Sequence, residues 1–106
     1  MRSDPILSRL GLARRAGLIS TGYSASADAV KAGKSRLVVV ASDISPKTEK
    51  EIRFVCKSGV TVSRICHNIE AVSAAIGTRA GVISVNDQGF AEALTRLIKE
   101  ECQNDD

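Results

Sequence analysis

The chain has 106 residues, 43% hydrophobic and 25% charged, with a formal net charge of +3 and a mean hydropathy of +0.00. Average apolar content with so small a net charge excludes a disordered chain, and the length predicts a single domain over residues 1–106 that folds without metal or disulfide staples. No apolar run approaches the roughly 18 residues that span a bilayer, and Met1-Arg2-Ser3-Asp4-Pro5 has no signal-peptide character, so a cytoplasmic protein without membrane contact is expected.

In chain order, the first element predicted is an amphipathic helix from Asp4 to Ala16. Ile6, Leu7, Leu10 and Ala13 recur at the three- and four-residue steps that stack on one helix face. Ser3 is the N-cap candidate, Pro5 fits the first turn, and Gly17 is a natural stop. Gly11 costs about 1 kcal/mol in a helix interior relative to Ala, which implies close packing there. Leu18-Ile19-Ser20 reads as a short strand, Thr21-Gly22 as a turn, and Ser24 to Ala32 as a second helix with Ser24 or Ser26 as its cap.

Leu37-Val38-Val39-Val40-Ala41 is a continuous apolar run, the signature of a strand covered on both faces. A third helix starts at Ser45-Pro46, assisted by Asp43 in the preceding turn, and buries Ile52, Val55 and Cys56. Val60 to Ile65 alternates like a half-buried strand. Asn68 caps a helix that Gly77 ends, Gly81 to Val85 is a strand, and Asp87 caps a last helix carrying Phe90, Ala91, Leu94, Leu97 and Ile98. The tail after Glu101 is expected to fray. Helices alternating with short apolar strands predict an α/β/α sandwich around a central sheet of about four strands.

Chemistry is sparse. Cys56, Cys66 and Cys102 are odd in number and form no CxxC pair, and His67 is the only histidine, so no metal site and no cofactor are expected. Cys56 should be buried and free, with Cys102 on a polar tail. Gly33-Lys34-Ser35 imitates the end of a phosphate-binding P-loop, but it follows a helix and precedes a strand, the reverse of the order that motif needs. His67 reads as a surface or capping residue, no nucleophile–base pair stands out, and the chain is expected not to be an enzyme. Aromatic residues make up only 3%, which argues against base-stacking platforms.

The charge distribution says more. Residues 1–36 hold seven Lys/Arg against two acids, residues 37–66 five against three, and residues 67–106 three against seven. The basic first third contains the turn Thr21-Gly22-Tyr23-Ser24, which leads into a helix N-terminus with Arg14, Arg15, Lys31, Lys34 and Arg36 nearby in sequence. A helix start presents free N–H groups and a positive dipole end, a combination that suits phosphate. The alternative is that these are solvated charges on two helix ends.

Leu10-Gly11-Leu12-Ala13-Arg14-Arg15-Ala16-Gly17, Gly22 and the run Lys31 to Asp43 resemble the YlxQ-like bacterial branch of the kink-turn-binding ribosomal family of archaeal L-seven-Ae and eukaryotic L-thirty-e. Ala75-Ile76-Gly77 and Asn86 to Ala91 resemble it too, so the likeness covers about residues 7–98. It implies a three-layer α/β/α fold with a small mixed sheet, no catalysis, and a structured RNA partner, either kink-turn-like or ribosomal. It also implies association with the ribosome or translation-related proteins, and we expect a monomer.

Kink-turn binders of that family carry Gly-x-Asn-Glu-x-x-Lys at the start of the second helix and an apolar loop before the last strand. Gly22 matches the Gly, but Ser24, Ala25 and Asp28 stand at the Asn, Glu and Lys positions, and the loop is Thr78-Arg79-Ala80. The resemblance therefore implies an RNA surface centred on Gly22, Ser24, Lys34 and Arg79, with Thr78 in the loop and Lys31 and Arg15 as peripheral phosphate contacts. It also implies a partly degraded kink-turn motif. The alternative is a protein–protein adaptor that keeps the scaffold and has lost RNA binding.

Overall fold

The computed structural model describes residues 4–102. Helix α1 (Pro5–Arg15) leads to β1 (Ile19–Thr21), α2 (Tyr23–Lys31), β2 (Leu37–Val40) and α3 (Pro46–Cys56). Then come β3 (Val62–Arg64), α4 (Ile69–Ile76), β4 (Val82–Val85) and α5 (Gln88–Glu101). The strands form one mixed sheet in the order β1-β4-β2-β3. β4 runs antiparallel to both β1 and β2, and β3 runs parallel to β2 after the α3 crossover. Helices α2 and α3 cover one face, while α1, α4 and α5 pack together on the other. This is the expected three-layer sandwich.

The core follows from β2 and β4. Val38 and Val39 point to opposite faces, yet both are essentially inaccessible, as are Ile83 and Val85. Only a strand with helices on both sides can bury every residue in this way. One polar side chain in β4, Ser84, is accommodated by a short chain of hydrogen bonds. Its Oγ donates to Asn86 Oδ1 (2.6 Å), and Asn86 Nδ2 donates to Ser20 Oγ on β1 (3.0 Å). Among the described residues no buried side-chain nitrogen or oxygen lacks a partner.

Helix starts differ from expectation in instructive ways. Ser3 lies outside the described residues, and the α1 cap is Asp4, whose Oδ1 accepts from the Ile6 and Leu7 amides at 2.9 and 3.1 Å. Ser45, Asn68 and Asp87 cap α3, α4 and α5 as the sequence suggests. Asp43 does not serve α3; its Oδ1 accepts from Ile69 N–H (2.8 Å) at the start of α4. Ser26 is not a cap either. It is fully buried on the inner face of α2, and its hydroxyl reaches the Ser20 and Val82 carbonyls at 3.3 and 3.4 Å.

Cys56 is buried and free, as expected. Cys102 is not on an exposed tail. It is the C-cap of α5, buried, and disulfide-bonded to Cys66 in the turn between β3 and α4. Helix α5 is long enough to return the chain end to that turn, a pairing that a separation of 36 residues hides from sequence reading. Closing a loop of that length stabilises the fold by about 3–4 kcal/mol in a chain-entropy model. Of the tail after Glu101 expected to fray, Cys102 is instead buried and bonded, and residues 103–106 lie outside the described part.

Gly11 marks a helix–helix contact. A Cβ there would lie 2.9 Å from the Ala75 carbonyl oxygen of α4. Gly11→Ala should therefore destabilise the protein by about 1–3 kcal/mol despite the better helix propensity of Ala, because the overpacking strikes backbone. A urea denaturation midpoint equal to or above wild type would contradict this packing.

Candidate nucleic-acid interface

The register divides the sheet into two ends. At one lie the C-terminal ends of β1, β2 and β3 and the start of β4, because Thr21 pairs with Ile83, Val40 with Val82, and Val40 with Arg64. At the other lie Ile19, Leu37 and Val85. About 10 Å of strand separates them.

Gly22, Ser24, Thr78 and Arg79 all belong to the first end. Gly22 N–H donates to Val82 O (2.8 Å), joining the β1–α2 turn directly to the strand that the Thr78-Arg79-Ala80 loop enters. Ser24 and Arg79 are exposed, and Thr78 is half-buried. Lys34 and Lys31 belong to the opposite end. Lys34 N–H donates to Ala29 O at the C-terminal turn of α2, and Arg36 N–H donates to Val85 O. A nine-residue α2 carries the chain about 13 Å from Gly22 before Lys31 is reached. The expected central cluster is thus split, with Lys34 apart from Gly22, Ser24 and Arg79. Sequence proximity misled because α2 spans the sheet between the two groups.

Arg15 is exposed on the last turn of α1, lining a shallow cleft with Asp4, Leu7, Ser8, Gly11 and Ala75. Its neighbour Arg14 has a defined task that sequence reading did not assign. Arg14 Nη1 donates to Ile76 O (2.9 Å), placing a cation on the C-terminal carbonyls of α4 immediately before the Gly77–Ala80 loop. Basic residues in a last helical turn carry that signal, but usually for their own helix.

The start of α2 stands apart from the other helices described. Its N-cap, Gly22, adopts φ 94° and ψ 162°, a conformation an L side chain rarely takes, and no side chain caps the helix. The α2 amides nearest this end therefore lack the carboxylate, hydroxyl or amide oxygen that tops α1, α3, α4 and α5. Ser24, Ala25, Asp28 and Lys31 form the exposed face of α2, while Ser26, Ala27, Ala29 and Val30 are buried against the sheet. Such a helix end suits an anionic or carbonyl acceptor arriving from outside. Asp28, one turn along the same face, opposes a phosphate there.

A second cluster at this end of the sheet surrounds the disulfide. The ligand atoms of Cys66, His67 and Cys102 lie within 4.8 Å of one another, but with the sulfurs bonded together only His67 offers a metal an ordinary donor. His67 Nε2 donates to Asp4 Oδ2 (2.7 Å). Burial raises the Asp4 carboxyl, but hydrogen bonds from His67 and from the Leu7 and Ile6 amides outweigh it and hold the group below its ordinary 3.8. Among the described residues no helix is long and apolar enough to cross a membrane.

The family model of the "Ribosomal protein L7Ae/L30e/S12e/Gadd45 family" matches residues 4–95. The large ribosomal subunit protein eL30 of Dictyostelium discoideum is 31% identical over 97 residues, covering 89% of this chain and 87% of that protein. The RNA-binding protein YlxQ of Bacillus subtilis is 29% identical over 90 residues, covering 84% and 90%. Among solved structures, a protein of unknown function from Bacillus halodurans superposes with a TM-score of 0.86 at 35% identity, covering 92% of this chain and 99% of that one. The Giardia lamblia 15.5kD RNA binding protein superposes with a TM-score of 0.74 at 19% identity, covering 91% and 83%, and shares the fold.

The Asp4–His67 contact makes stability acid-sensitive. Because the folded carboxyl titrates below its unfolded value of 3.8, its contribution is complete above that pH and is lost as the pH falls through the folded value. Asp4→Asn should therefore cost stability near neutral pH and progressively less as the pH falls through and below 3.8, as judged by urea midpoints. A constant difference across that range would remove the carboxylate from the account.

Proposed function

The chain belongs to the ribosomal protein L7Ae/L30e/S12e/Gadd45 family, and on that premise we propose that it acts as a single, non-catalytic RNA-binding domain with a structured RNA, kink-turn-like or ribosomal, as its partner. The observation that carries this reading is the uncapped α2 N-terminus at Gly22, bonded to the strand that the Arg79 loop enters. In this reading the Gly22 turn, Ser24, Thr78 and Arg79 hold the RNA. Arg15, Lys31 and Lys34 are outlying phosphate contacts, reached only by RNA that extends along α1 or past the length of α2.

The mode differs from that of the family's kink-turn binders. Ala25 offers no acceptor for a guanine amino group, and Asp28 repels the phosphate that a Lys would attract. Each lost charged hydrogen bond is worth about 1.5–3 kcal/mol, so the pair weakens kink-turn binding by roughly two to four decades. Phosphate contacts then dominate, and these position the protein without reading sequence. Ala25 and Asp28, both on the exposed face of α2, are also what favour the second reading, an adaptor that binds protein through the same scaffold.

Fluorescence-anisotropy titrations against kink-turn and plain duplex RNA at several salt concentrations separate these readings. Affinity should fall by about 0.7–0.9 log units per tenfold rise in salt for each phosphate contacted. Arg79→Ala should weaken binding to both RNAs alike and flatten the slope by about one unit. Ala25→Glu combined with Asp28→Lys should sharpen preference for the kink-turn. Absence of binding to any structured RNA at low salt would overturn the proposal in favour of the adaptor, and tight kink-turn discrimination by the wild type would overturn the degraded motif.

A further inference from the structure

Cys66, His67, Cys102 and Asp4 form an arrangement that RNA binding does not use. Cys66 is exposed, whereas Cys102 is 9% accessible. The Cα atoms are 5.3 Å apart, inside the ordinary range for a bridged pair. The Cys66 N–H donates to Cys102 Sγ (3.1 Å), a contact that stabilises negative charge on that sulfur. His67 Nδ1 lies 3.8 Å from Cys66 Sγ, and its Nε2 donates to Asp4 Oδ2 at 2.7 Å. A carboxylate only accepts, so Nε2 carries a proton, and in the neutral imidazole Nδ1 then presents a lone pair to Cys66. That order of thiol, imidazole and orienting carboxylate is the general layout of an activated nucleophile.

We propose that Cys66 and Cys102 form a thiol-exchange site for a low-molecular-weight thiol. In the disulfide state a small thiolate attacks the exposed Cys66 Sγ and the Cys66–Cys102 bond breaks. Cys102 leaves as a thiolate, held by the Cys66 N–H and then protonated from solvent. A second small thiolate attacks its like in the mixed disulfide, releasing Cys66 thiolate and the small disulfide. The net change is protein disulfide plus two thiols to protein dithiol plus one small disulfide.

In reverse, His67 Nδ1 takes the Cys66 proton, Cys66 attacks the small disulfide, and Cys102 resolves the adduct. The cleft beside the sulfurs is lined by Ser42, Arg64 and Ile65 and gives a small thiol access to them; the Arg64 guanidinium at its rim is held by Glu49 Oε1 (3.3 Å) and the Ser42 carbonyl. Cys56 takes no part, because it is buried and burial raises its thiol. The exchange fastens or frees the last turn of α5.

The test is exchange of the full chain in buffers of reduced and oxidised glutathione, quenched by acid and mapped by peptide mass spectrometry. Two thiols should appear and disappear together, with the mixed disulfide confined to Cys66. Cys102→Ser should accumulate that adduct. His67→Ala should react with glutathione disulfide at least about threefold more slowly, since one unit of thiol pKa costs tenfold in thiolate and restores about threefold in nucleophilicity. Its thermal midpoint in the reduced state separates this effect from a general loss of structure. Adducts on Cys102 or Cys56, a pair that glutathione disulfide never oxidises, or one zinc per chain held by both thiols in the purified protein would each overturn the proposal.

Discussion

The antiparallel pairing of β2 with β4 is the constraint on which the molecule depends. Two four-residue strands lie at the centre of a four-stranded sheet, and both bury every side chain. Burial on both faces demands helices on both sides, and strands this short leave no room for chemistry within the sheet. Polar groups are therefore displaced to the strand ends, where the connecting turns gather. In open α/β sheets that edge is where ligands are commonly met. Here it holds the Gly22 turn, the Arg79 loop, the Asp43 turn and the Cys66-His67 turn.

Those turns are fastened to one another by side chains acting between helices. Asp4 caps α1 with one carboxylate oxygen and accepts from His67 with the other. Asp43 caps the start of α4 from a different loop, and Arg14 covers its end from α1. Each of these three charged groups, which composition would count as surface, satisfies backbone or side-chain polarity across an element boundary. Of the cations in the basic first third, Arg14 is thereby committed to the end of α4. The open end of α2 gains its distinctness from this background of filled helix ends.

Much of the fold was legible in the sequence. Periodicity located all nine elements, and the Leu37–Val40 run predicted a doubly covered strand because alternate residues there are equally apolar. Asn68, Asp87 and Ser45-Pro46 marked helix starts through local chemistry, which the sequence displays directly. What escaped were relations set by tertiary distance that no local signal marks. Cys102 looked like a tail residue because nothing nearby in sequence shows that α5 returns to Cys66. Asp43 was read with the helix that follows it, since its true partner, Ile69, lies beyond α3 and β3. Lys34 was grouped with Gly22 because sequence separation does not reveal which end of the sheet a helix reaches. Ser26 has the residue type of a cap and the position of a core residue, and position prevailed.

The approach of α1 to α4 has a one-sided character. What an added carbon at Gly11 would strike is the carbonyl oxygen of Ala75, an atom that every amino acid brings to that place. No replacement at position 75 can make room, so the two positions cannot be traded against each other as a large and a small side chain can. Any second change that restores the fold has to move α1 or α4 as a body, and a shift of α4 takes with it Ile76, which anchors Arg14, and the loop that carries Thr78 and Arg79. A single missing methyl on one helix thereby governs where the loop at the end of another can stand.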